Sequence, residues 1–170
     1  MTTVYASLAA SGAIATVYGC SQAATPPPGY VEMPDSDPRY LAWQAATARQ
    51  ALVAYAEAKQ GAALAVVYSH ALSDGSATLT TACDPTSVGG INSLMAWATT
   101  PQAVAATPTR NYFNSDWTAH TVTPAQMIEF GVAVGAHVSS LYADLGAVIA
   151  GINAGAITTA AQIDDASWTA

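Results

Sequence analysis

The sequence predicts an α+β chain, with small β-hairpins and a long C-terminal helix packed on a second long helix. Three observations predict it. Short β-branched and aromatic runs occur in pairs around the turn formers Ser11-Gly12, Ser73-Asp74-Gly75 and Asn114-Ser115-Asp116. A capping side chain followed by proline recurs at Asp37-Pro38, Asp84-Pro85 and Thr123-Pro124, each a helix start. Two stretches then carry apolar residues at alternating four- and three-residue intervals, the period of a helix face. Paired strands between helices, rather than single strands alternating with them, favour α+β over a parallel sheet.

In order, Thr3 to Leu8 and Ala13 to Tyr18 form an N-terminal hairpin. From Gly19 to Asp35 the run Pro26-Pro27-Pro28-Gly29 predicts a stiff, extended connector, so a boundary is expected there: residues 1–35 as hairpin and connector, 36–170 as the α+β domain. A helix follows from Pro38 to Gln60, stopped by Gly61, with Leu41, Ala45, Ala48, Leu52 and Tyr55 on one stripe. Residues 62–69 and 76–82 are expected as strands, and a short helix runs from Asp84-Pro85 through Met95 and Trp97, fraying at Thr100-Pro101. Arg110 to Phe113 and Trp117 to Thr121 make the third hairpin. Thr123 and Gln126 have capping-box spacing, one bonding forward and the other back, so a long helix spans about 124–154 and ends near Gly155. Thr159 and Gln162 repeat the box for a short last helix closing at Trp168.

On the long helix, Met127, Val134, Val138, Leu141, Leu145, Val148 and Ile152 lie on a heptad seam, with a glycine fault at Gly131. These seven are the expected packing or oligomer interface. A membrane span needs about 20 consecutive apolar residues. Glu129, His137, Ser139, Ser140 and Asp144 interrupt this stretch, and its polar face has no Lys or Arg for a lipid surface. No membrane partner is expected.

Composition narrows the partners further. Charged residues make up 9% of the 170 and apolar ones 52%, against about 25% charged in ordinary soluble domains. A surface so poor in charge suits a subunit packed against other protein, and a homo-oligomer is expected. Four basic residues against eleven acidic ones leave no footprint for phosphate backbones, so no nucleic acid is expected. Val17-Tyr18-Gly19-Cys20 approaches a lipoprotein cleavage site, but no basic residue precedes it and Tyr18 is bulky where a small residue is wanted.

No residue set announces chemistry. His70, His120 and His137 are isolated from one another, and Cys20 and Cys83 are too few and too far apart for a metal or disulfide framework. His70-Ala71-Leu72-Ser73-Asp74 holds all three residue types of a hydrolytic triad, yet it sits on a predicted turn without a nucleophile elbow and reads as turn chemistry. Asp35-Ser36-Asp37 reads as helix capping, and Gly89-Gly90 is too short for a phosphate loop. No catalytic residues, metal or cofactor are expected. Trp43, Trp97, Trp117 and Trp168, about one per element, read as core anchors.

The aromatic hairpin "NYFNSDWTAHTV", the helix "TPAQMIEFGVAVGAHVSSLYADLGAVIAGINAG" and the ending "TTAAQIDDASW" form a pattern, with "SHALSDGSATLTTACDPTSVGGINSLMAWA" upstream. Over residues 62–168 this pattern resembles a domain of unknown function at the C-terminal end of tailed-bacteriophage tail-fibre and tail-accessory proteins. The resemblance implies a virion setting, assembly in the bacterial cytoplasm and other tail proteins as partners. It carries over no catalytic residue. A non-enzymatic structural virion protein is the expectation. The alternatives are an assembly chaperone absent from the mature particle and a carbohydrate-binding receptor module.

Overall fold

The computed structural model describes residues 3–18, 28–166 and 168. The run Pro26-Pro27 and Cys20 lie outside the described residues. The chain divides into two units, Met1–Val53 and Ala54–Ala170.

In the first unit, β1 (Thr3–Leu8) and β2 (Ile14–Tyr18) form the expected hairpin, with Ala6 opposite Val17 and a register shift between Ser7 and Leu8. Gly12 closes the turn at φ +79°, a conformation that costs glycine nothing. A third strand, β3 (Tyr30–Pro34), pairs with the other edge of β1, giving the order β2-β1-β3. The proline-rich run predicts a connector here, and the structure has a strand instead. An extended chain that meets an unpaired edge satisfies its own N–H and C=O groups by joining it. Ala6 and Met33 are the buried residues of the sheet.

Helix α1 (Pro38–Ala65) starts where expected, with the Asp37 carboxylate accepting the backbone N–H of Arg39 at 2.8 Å. Its hydrogen bond and ion pair with the Arg39 side chain hold that carboxyl at about 2. Gly61 does not stop the helix. A glycine costs a helix about 1 kcal/mol, and good helix formers, Ala62 to Ala65, follow it here, with Leu64 packed on the core of the second unit. The strand expected from residue 62 therefore begins at Val67.

In the second unit, β4 (Val67–Ala71) pairs with β5 (Thr78–Ala82). Helix α2 (Pro85–Ala98) is capped by Asp84, whose carboxylate accepts from the N–H groups of Thr86 and Ser87. A short helix absent from the sequence reading, α3 (Pro101–Ala106), follows, although Thr100-Pro101 repeats the same cap-and-proline device. β6 (Arg110–Phe113) pairs with β7 (Ala119–Val122). α4 (Pro124–Ala154) has the full capping box at Thr123 and Gln126 and ends on Gly155 at φ +74°. α5 (Ala160–Asp164) has the second box. Lys59 pairs with Asp164, which also accepts a hydrogen bond from Tyr55 at 2.8 Å, tying α5 to the last turns of α1.

The core gathers Leu72, Leu79, Ile91, Tyr112, Met127 and Phe130 beneath the two hairpins. The helix laid along α4 is α2, shorter than the one expected there. Gly131 leaves room for Met95 of α2 directly against the α4 backbone.

Candidate functional site

Of the seven seam residues, Met127, Val134, Leu141, Val148 and Ile152 are buried within the chain, while Val138 and Leu145 are partly exposed. Met127 and Val134 belong to the core and Val138 packs against it. α4 is long and apolar enough to cross a bilayer, but five of its seam residues are buried against protein. The glycine fault is a contact point, since a Cβ at residue 131 would stand 2.0 Å from Met95 Sδ.

The first half of α4 also anchors the β4–β5 turn. Glu129 accepts the Ser73 backbone N–H at 2.7 Å and the Ser73 hydroxyl at 2.8 Å, and His70 Nε2 lies 3.1 Å from the same carboxylate. One turn earlier, the Gln126 amide donates to Asp74 and to Ser76. The Ser73 hydrogen bonds, and then His70, hold the Glu129 carboxyl below its ordinary range. Ser76, and then Gln126, do the same for Asp74. Ser73 and His70 both engage Glu129 rather than each other, so no nucleophile–base pair forms and the cluster is a staple. Sequence reasoning missed Glu129. The signal was there: it is the one carboxylate in the first five turns of an otherwise apolar helix. Among the described residues no group of three or more His, Cys, Asp or Glu could hold a metal ion. Cys83 is a free thiol that burial pushes up in pKa.

The β6–β7 turn is fixed from below. Asn114 is 9% exposed; its Oδ1 accepts from Thr80 N–H at 2.9 Å, and its Nδ2 donates to Thr78 O and to His120 Nε2. Ser115 N–H adds a bond to Thr80 Oγ1, and Tyr112 donates its phenol hydrogen to Thr80 O at 2.8 Å. Above this network Trp117 stands 82% exposed at φ +66°. It is therefore no core anchor: the turn aims its backbone outward. Trp43, Trp97 and Trp168 are partly buried, with Trp97 packed on the core and under Arg110, and Trp168 bonded to Ile163 O.

Between β5, α2 and β6 lies a cleft of about 480 Å³ that includes Thr80, Gly90, Asn111, Phe113 and Ser115. Its eleven lining residues include no charged one. A smaller apolar hollow of about 330 Å³ sits between α3 and the start of α4, bordered by Val104 and Ile128.

Hairpins stapled to a capped helix, beside a cleft lined by no charged residue, define a small α+β domain. The chain belongs to the family described as domain of unknown function DUF4376, whose model matches residues 44–167, well over half of it. No curated protein and no solved structure matches the chain.

Proposed function

We propose that the chain is a non-enzymatic structural subunit of a tailed-phage virion, a tail-fibre or tail-accessory protein that joins tail components as a homo-oligomer. The observation that supports this best is the face of α1 left without a partner. From Pro38 to Ala51 only Tyr40 and Trp43 are partly buried, and they stack on each other. Leu41 is 50% exposed, and Ala45 and Ala48 beside it on the 4-3 stripe are exposed as well. A helix of this length gains most of its stability from packing one face. The stripe suits a second copy of itself. With Leu41 and Ala48 at d and Ala45 at a, Arg49 falls at e and meets Gln44 or Ala51 at g of a parallel neighbour, whereas antiparallel chains centred on Ala48 would set Arg49 against Arg49. Five of the seven α4 seam residues are buried in the chain's own interior, which supports α1 as the association surface. The similarity of residues 62–168 to phage tail domains supports the setting.

Light scattering is expected to give an oligomer that Leu41→Asp reduces to monomer. A parent chain that stays monomeric at high concentration would sink the self-association. Mass spectrometry of purified virions tests the setting, with a stoichiometric amount expected. Absence from the particle would favour the assembly chaperone.

A further inference from the structure

We infer that the cleft between β5, α2 and β6 is a binding site for a neutral saccharide. Its size, about 480 Å³, falls in the range of small-ligand sites, and its chemistry fits that class on three counts.

The absence of charge comes first. No Lys, Arg, Asp, Glu or His lines the cleft, and the adjacent cation, Arg110, stacks over the Trp97 ring at 4.5 Å. An anionic or cationic ligand would enter without a counter-charge. Next, the wall offers hydrogen-bonding capacity that the fold leaves unspent. Among the described residues Ser115 Oγ has no partner, and the Asn111 amide makes only a 3.5 Å contact to Thr121 from its oxygen. Hydroxyl and amide groups can each donate and accept, as sugar hydroxyls require. Beside them Phe113 is 53% exposed, an apolar ring available to the C–H face of a pyranose.

The third count is the room itself. α2 carries Gly89 and Gly90 in its middle, where glycine weakens a helix. A Cβ at either position meets nothing within 4 Å, so close packing does not exclude a side chain. What Gly90 contributes is open space in the cleft it lines. The site lies wholly in the second unit and does not depend on self-association through α1.

The test is a titration of the full chain, followed by amide chemical shifts, with maltotriose, lactose, mannotriose and triacetylchitotriose, and with sialyllactose and tetraglycine as competing classes. At least one neutral sugar is expected to shift the amides of Gly90, Asn111, Phe113 and Ser115 with millimolar affinity. Phe113→Ala and Gly90→Leu should each weaken it by about tenfold or more. Gly89→Leu, on the same helix but outside the cleft, should leave it unchanged and controls for folding. No cleft shift at tens of millimolar with any of the four sugars overturns the proposal, as does undiminished binding in Gly90→Leu. Tighter binding of sialyllactose or tetraglycine than of every neutral sugar overturns the ligand class.

Discussion

Met95 occupies the space that a side chain at residue 131 would need: a Cβ on Gly131 would stand 2.0 Å from its Sδ and 2.5 Å from its Cγ. This contact sets how closely α2 and α4 approach. Gly131→Ala should cost about 1–3 kcal/mol in overpacking, offset by about 1 kcal/mol of helix propensity, so that the net change is a destabilisation of up to about 2 kcal/mol. Shortening Met95 in the same chain should recover part of that loss. Denaturant unfolding of both single variants and the double variant checks it, and strictly additive costs would mean that the two residues do not compete for one space.

Trp117 tests the opposite case, a bulky residue where glycine would fit better. Its φ of +66° costs an L-residue roughly 1–2 kcal/mol, and so exposed a ring returns little packing. Trp117→Gly should therefore leave stability unchanged or raise it by up to about 1 kcal/mol, after the extra freedom of glycine in the unfolded chain is subtracted. A clear drop in melting temperature would reveal contacts of the ring that outweigh the backbone strain.

Asn114 should behave as a structural linchpin. Asn114→Ala leaves Thr80 N–H and Thr78 O without their bonds, which costs about 0.5–1.5 kcal/mol for each bond at this partly buried edge. Asn114→Asp should be little better, because a carboxylate cannot donate to Thr78 O or His120. Hydrogen exchange at Thr80 is the sensitive readout. Protection kept intact in Asn114→Ala would mean that another group supports the turn.

The staple at Glu129 gives the protein an acid limit. Hydrogen bonds from Ser73 and contact with His70 depress the carboxyl in the folded state, so folding favours the ionised form. Its contribution is complete above the ordinary carboxylate range, about pH 4, and is lost as pH falls through the depressed folded value. Asp74, Asp84 and Asp116, depressed by their own Ser and Thr partners, act in the same direction. Glu129→Gln should lower the melting temperature at neutral pH and flatten its decline between about pH 5 and about pH 3. Parallel melting curves for the two proteins across that range would rule the staple out as a source of acid sensitivity.

Much of the secondary structure could be read from short stretches. The caps at Asp84, Thr123 and Thr159 and the stop at Gly155 hold as expected, because a cap is a bond between residues two or three apart. The reading failed where a distant neighbour decided. Gly61 looked like a stop, but Leu64 has the core to pack against, so α1 continues. Tyr30–Pro34 looked like connector until the open edge of β1 is taken into account. The cleft was invisible, because Gly90 and Phe113 are 23 residues apart in the chain.

The sequence alone determined the α+β class, the helix starts and the apolar face of the long helix, since these follow from capping chemistry and periodicity within one segment. Only the tertiary structure decided what that face meets. How closely α2 approaches α4 depends on the room that Gly131 leaves for Met95, and which seam residues are buried depends on what the rest of the chain brings against them. Five of the seven seam residues are buried inside the chain, Val138 and Leu145 stay partly exposed, and the plainer stripe of Leu41, Ala45 and Ala48 is exposed.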